Sequence, residues 1–207
     1  MENELGYSCY LCKREHFFLR PGSVRDNKNI DVLECTNCGL VCLSSLNHIE
    51  IDHYQNSGMH GNIKPDIESW VKTTQVDDER RFNFVKEQIV NKKVLDFGCG
   101  TGSFLNLAKA SAKEVAGIEL DRALQPFFEE NGINVFLNLK EATKEDQKWD
   151  VITAFHVVEH LSDPKNTLAE LACLLSDEGI LIIEVPNSND ALLTLYNNEG
   201  FQNFSYW

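Results

Sequence analysis

The stretch Val94-Leu95-Asp96-Phe97-Gly98-Cys99-Gly100-Thr101-Gly102-Ser103-Phe104-Leu105 constrains the fold more than any other part of the chain. A short apolar run, a turn with glycine at alternate positions, and apolar residues at Phe104, Leu105 and Leu107 read as buried strand, tight turn and helix start. Gly98, Gly100 and Gly102 let the backbone turn sharply and let a ligand approach the main chain. Asp96 stands at the strand end, where it can accept a hydrogen bond from a cationic or amino group. The helix that follows directs its free N–H groups at the same crevice. The spacing differs from the dinucleotide fingerprint G-x-G-x-x-G, and the absence of a following phosphate-gripping lysine excludes a P-loop.

The chain around this turn alternates strand and helix. A second strand, Glu114 to Glu119, ends in a carboxylate about twenty residues beyond the glycines, the spacing at which an acid meets a ribose in nucleotide-binding sheets. Both oxygens of Glu119 can accept from ribose hydroxyls. Asp121 caps a helix over Arg122 to Glu130, Asn131-Gly132 stops it, and Ile133 to Leu137 forms a third strand. Trp149 to Phe155 is the fourth strand, Lys165 to Leu175 a crossover helix, and Gly179 to Val185 the fifth strand. Such alternation predicts an α/β domain with a parallel sheet, helices on both faces and a ligand across the carboxyl ends of the strands. Upstream, Asp66 to Asn91 is helical, with Asp77-Asp78-Glu79 able to open a second helix, and the segment covers the crevice.

The first 45 residues carry a different signal. Cys9-x-x-Cys12 and Cys35-x-x-Cys38 are separated by 22 residues, and two such pairs can complete a tetrahedral Zn2+ site. Four sulfurs leave no open position, so the metal is structural, and it supplies stability that so small a segment lacks as a core. Cys42 sits in an apolar setting and reads as a strand residue. His48, His53 and His60 fall in a loop-rich linker without a helical period. Seven cysteines without a secretory signal indicate a reducing compartment, hence a cytoplasmic protein. No apolar run approaches a membrane span, and a net charge of −13 argues against a broad nucleic-acid-binding face. The domain reading is 1–45 cysteine module, 46–91 linker and cap helices, and 92–207 main domain.

The run Asp96-Phe97-Gly98-Cys99-Gly100-Thr101-Gly102 resembles motif I of the class I S-adenosylmethionine-dependent methyltransferases. Asp150 to Leu161, with Phe155-His156-Val157-Val158-Glu159-His160, looks like the segment that follows in small-molecule and sugar methyltransferases, some with an N-terminal cysteine module. The resemblance implies a doubly wound, mostly parallel Rossmann-like sheet in the order 3-2-1-4-5. It also implies S-adenosyl-L-methionine held by Asp96, Gly98, Cys99, Gly100, Thr101, Gly102, Glu119, Leu120 and Phe155, with its methionine part along the glycine loop. Asn138 and Leu139 fall where the family places adenine contacts, without the usual acid.

His156, Glu159 and His160 lie at the open end of the fourth strand and are the candidate catalytic groups, with a purely structural Glu159-His160 pair as an open alternative. A histidine can take the acceptor's proton or position the acceptor. At i, i+3 and i+4 the three share one face if helical, and a similar Glu/His set binds magnesium in small-RNA 2′-O-methyltransferases. Here His156 replaces a carboxylate of that set, which a hard cation would favour. The family adds an antiparallel hairpin after the fifth strand, whereas 22 residues follow Val185 here, so the reading is a shortened domain with an exposed sheet edge. Three functions compete: methyl transfer to a small molecule of the sugar or nucleotide-sugar class, methylation of RNA gripped by the zinc module, and a non-catalytic cofactor-binding domain. The first is preferred; the acceptor atom and the oligomeric state stay open.

Overall fold

The computed structural model describes residues 8–25, 27–45, 55, 65–144 and 147–205. They form two compact units, one within Met1–Ile49 and Pro186–Trp207, the other within Glu50–Val185. His48, His53 and His60 lie outside the described residues. Among the described residues, no helix is long and apolar enough to cross a membrane.

In the first unit, β1 (Phe17–Leu19), β2 (Val32–Cys35) and β3 (Val41–Leu43) make an antiparallel sheet in that order, with Cys42 in a strand as its setting suggests. The two cysteine pairs fold into the same turn twice. Cys9 N–H donates to Arg14 O at 2.6 Å, as Cys35 N–H does to Leu40 O at 2.9 Å. Lys13 N–H closes on Cys9 O and Gly39 N–H on Cys35 O, both at 2.9 Å. The residue after each pair is left-handed, Lys13 at φ 61° and Gly39 at φ 73°. Residues after Val185, taken with the sheet domain in the sequence, group here with the cysteine-rich residues. Leu193 shares a core with Val24, Ile30 and Val32, and Arg20 joins Glu34 at 3.1 Å to the Ser188 carbonyl at 2.7 Å.

The second unit opens with α1 (Ile67–Ile89), capped by Asp66, which accepts from Ser69 N–H. Ile67, Trp70, Thr74, Asp78, Phe82, Val85 and Ile89 form a covered stripe along it, spaced by three or four residues and flanked by Val71 and Arg81. The helix therefore runs unbroken through Asp77-Asp78-Glu79, where the sequence allowed a second start. Asp78 belongs to the buried stripe and pairs with Arg81 at 3.3 Å one turn on, so the acids continue the helix.

There follow β4 (Lys93–Phe97), α2 (Ser103–Ala108), β5 (Glu114–Ile118), a 3₁₀ turn (Arg122–Leu124), α3 (Gln125–Glu130) and β6 (Val135–Phe136). Then come α4 (Leu139–Lys144), β7 (Trp149–Phe155), a 3₁₀ turn (Val158–His160), α5 (Pro164–Leu174) and β8 (Leu175–Glu184). The five strands are parallel in the order β6-β5-β4-β7-β8, the doubly wound 3-2-1-4-5 arrangement. Val94 and Val151 pack toward α1, α2 and α3, whereas Leu95 and Ile152 pack toward α4 and α5. This alternation buries both faces. β8 starts earlier than the expected Gly179 because Trp149 already pairs with Leu175 ahead of a bulge.

The paired cysteine turns generate a prediction. An added Cβ at Gly39 meets nothing within 4 Å, so Gly39→Ala tests backbone conformation alone. It should lower unfolding stability by roughly 1–2 kcal/mol, and Lys13→Gly should raise it by up to about 1 kcal/mol. Denaturant unfolding of the metal-saturated protein checks both; a Gly39→Ala variant as stable as its parent contradicts the turn geometry.

Candidate active site and metal centre

The glycine turn leaves β4 with Gly98 at φ 74°, Gly100 at 52° and Gly102 at 73°, all left-handed. Gly98 is also sterically required, because a Cβ there would strike the Val157 side chain, while one on Gly102 would make a tight 3.2 Å contact with Ile133. Gly98 and Cys99 N–H both donate to Ile118 O, at 2.8 and 3.1 Å, and Gly102 N–H donates to Cys99 O. Cys99 thus has its amide engaged, and its thiol packs inward against Gly117, where burial pushes its pKa up. Thr101 is buried and shares a 2.8 Å hydrogen bond with the Ser103 hydroxyl. Trp70 of α1 lies over Gly100.

Acids stand at the carboxyl ends of β4 and β5. Asp96 is 3% exposed, and its Oδ1 accepts from the Thr153 hydroxyl at 2.7 Å. Burial raises its pKa to about 7; the Thr153 bond opposes the rise, and the nearby charges of Asp78 and Glu119 add to it. Glu119 is braced by main chain, Oε2 accepting from Gly100 N–H and Oε1 from Asp121 N–H, each at 2.9 Å. Burial raises it as well. The Leu120 N–H also acts on this carboxylate, which offers about four acceptor positions, so not all of them are taken by main chain. Leu120 is half-buried beside it. Phe155 ends β7 edge-on to Phe104 at 5.1 Å, with the Arg81 guanidinium 5.3 Å from its ring centre. Asn138 caps α4 by accepting from Glu141 N–H, while the Glu141 carboxylate accepts from Leu137 N–H.

His156, Glu159 and His160 do come together, though not on a helix. His156 is left-handed at φ 55°, and Val158–His160 is a single 3₁₀ turn. The His156 Nδ1 lies 3.0 Å from Glu159 Oε1 and its Nε2 lies 3.1 Å from Glu184 Oε1. His160 Nε2 is 4.0 Å from the same Glu159 oxygen. Glu184 was not among the sequence candidates. It takes a forked pair of bonds from Arg80, both 2.9 Å, and one from Arg81 Nε at 3.0 Å. Burial alone would raise Glu184, but the two guanidiniums outweigh it and hold the carboxyl down at about 2. One signal could have found it: a lone acid inside the apolar run Ile180-Leu181-Ile182-Ile183-Glu184-Val185.

In the first unit, Cys9, Cys12, Cys35 and Cys38 bring their sulfurs within 4.8 Å of one another. The Cys9–Cys38 and Cys12–Cys35 separations are 3.5 Å, too long for disulfides. Zinc–sulfur bonds of about 2.3 Å place tetrahedral sulfurs about 3.8 Å apart, so the donor set fits. A main-chain bond at Arg14 lowers Cys12 to about 6, the ionised form a metal needs. At Cys38 the corresponding bond at Leu40 acts the same way, but burial and the neighbouring sulfurs outweigh it and push the thiol up to about 12.

Residues 69–207 match the family described as Methyltransferase domain. The chain belongs to that family. Its glycine turn and parallel sheet are those of a class I S-adenosylmethionine-dependent methyltransferase. The ubiquinone biosynthesis O-methyltransferase of Saccharophagus degradans is 30% identical over 134 residues, 60% of this chain and 57% of that protein. The one from Coxiella burnetii (strain RSA 493 / Nine Mile phase I) is 30% identical over 121 residues, 53% of this chain and 50% of that protein. The methyltransferase chain thus spans about half the length of these curated relatives. A solved DhpI–SAH complex has a TM-score of 0.53 at 16% identity, covering 69% of this chain and 72% of that one, a likeness of fold.

The burial of Asp96 has a pH signature. An acid held above its unfolded value destabilises the fold once ionised, so this cost is absent below about pH 4 and complete above about pH 7. The ligand-free methyltransferase should lose stability through Asp96 across that interval. The melting temperature of Asp96→Asn relative to the parent should rise from pH 4 to 7; a constant difference contradicts the assignment.

Proposed function

We propose that the protein transfers a methyl group from S-adenosyl-L-methionine to a hydroxyl of a small molecule, with sugars and nucleotide-sugars as the first acceptor class to test. The observation that carries this reading is the left-handed glycine turn bonded through Gly100 to Glu119, with Asp96 buried at its side. When bound, the cofactor would supply an electrophilic methyl on a sulfonium. The glycine turn would lie along its methionine part, Asp96 would accept from its ammonium, and the open acceptor positions of Glu119 would take the ribose hydroxyls. Leu120 and Phe155 would wall the crevice. The segment His156 to His160, at the end of β7, would face the acceptor and handle its proton. Oxygen as the attacking atom is supported by relatives named as O-methyltransferases.

The same reading assigns Zn2+ to Cys9, Cys12, Cys35 and Cys38 as a structural ion. Two identical turns presenting four sulfurs at tetrahedral spacing support it, and a closed four-sulfur set has no position for substrate.

Transfer of labelled methyl to a panel of sugars, nucleotide-sugars and phenols tests the reaction. Incorporation into any of them is expected, and none from protein that binds the cofactor would defeat the reading. Cys35→Ser should lose zinc and loosen the cysteine-rich unit; zinc content equal to the parent would defeat the metal assignment.

A further inference from the structure

Two observations at the end of β7 separate the roles of His156 and Glu159. Both ring nitrogens of His156 already face carboxylates, Glu159 at 3.0 Å and Glu184 at 3.1 Å. With both ring nitrogens donating to these carboxylates, the ring has no lone pair left for an acceptor's proton. The backbone here is fixed to the same strand end, because the main-chain N–H of His156 donates to the Glu184 carbonyl at 2.8 Å. By contrast, Glu159 Oε2 is buried and has no hydrogen-bond partner among the described residues. A buried carboxylate oxygen without a donor carries an uncompensated desolvation cost, and such an atom calls for an explanation.

We propose that Glu159 presents the proton-accepting atom, Oε2, to an acceptor hydroxyl, and that His156 and Glu184 are positioning residues that aim it. This rests on the methyl-transfer reading and names the acceptor as a hydrogen-bond donor. In the step, the acceptor oxygen forms the new O–CH3 bond while its O–H proton passes to Glu159 Oε2. The C–S bond breaks with its electron pair going to sulfur, leaving a neutral thioether. Glu184 anchors the line: Arg80 and Arg81 fix its carboxylate to α1, it fixes His156, and His156 fixes Glu159 Oε1.

The test uses Glu159→Gln, His156→Gln and Glu184→Gln in the full chain. A carboxylate kept for function at a cost to stability predicts that Glu159→Gln melts at or above the parent temperature. Glu184→Gln, which loses charge facing three donor groups, should melt lower. A Glu159→Gln protein that melts below the parent would show a structural carboxylate and overturn the proposal. On any acceptor that the parent methylates, Glu159→Gln should lose about 100-fold or more in kcat, with S-adenosylhomocysteine affinity unchanged by calorimetry. Glu184→Gln should lose kcat by a smaller factor with KM nearly constant, and His156→Gln less than Glu159→Gln. A parent rate in Glu159→Gln, or a larger loss in His156→Gln, would overturn the assignment. If the parent methylates nothing, the methyl-transfer reading fails, and the melting temperatures still decide the role of Glu159.

Discussion

The hydrogen bond from Gly100 N–H to Glu119 Oε2, 2.9 Å long, is the constraint on which the crevice depends. It ties the turn after β4 to the end of β5, in a turn whose Gly98, Gly100 and Gly102 all adopt left-handed backbone. The amides of Gly98 and Cys99 reinforce it by donating to Ile118, the last residue of β5. A hydrogen bond to a charged group is worth about 1.5–3 kcal/mol, enough to hold an otherwise flexible turn in one shape before any ligand arrives. Asp121 N–H holds the other oxygen of Glu119, so the carboxylate is oriented from both sides. α1 then lays Trp70 over Gly100 and Arg81 over Phe155.

Electrostatics around this turn divide into two regimes. Asp96 and Glu119 meet only neutral donors, so burial wins and both are pushed up. Glu184 meets two guanidiniums, which outweigh its burial and pull it down to about 2. The first regime is an unfavourable condition that a cationic ligand would relieve; the second is a fixed anion that no ligand needs to complete. Asp78 sits between them: burial raises it, Arg81 opposes the rise, and its charge adds to that felt by Asp96. Burial thus sets the electrostatics on the Asp96 side and ion pairs set it on the Glu184 side.

Much of this was legible in the sequence. The family resemblance carried by the glycine run led to the sheet order, and the strand–helix alternation led to the parallel sheet, because it is a local backbone requirement. The cysteine pairs led to four converging sulfurs for the same reason. The rest depends on distant contacts. Glu184 meets Arg80 and Arg81 across more than a hundred residues of chain, and only its oddity inside an apolar strand marks it. Asp77-Asp78-Glu79 looked like a helix start because acids favour helix N-termini; the ion pair with Arg81 and the burial of Asp78 make it mid-helix instead. His156, Glu159 and His160 would share a face if helical, whereas they meet through a left-handed residue and a 3₁₀ turn. The grouping of Leu193 with Val24, Ile30 and Val32 has no local signature at all.

The account turns on whether the glycine turn and Glu119 form a working cofactor site, and calorimetric titration with S-adenosylhomocysteine tests that most directly. Saturable binding in the micromolar range, markedly weakened in Glu119→Ala while the variant stays folded, is the predicted result. An absence of heat and of any thermal shift in the parent protein, or undiminished affinity in Glu119→Ala, would contradict it.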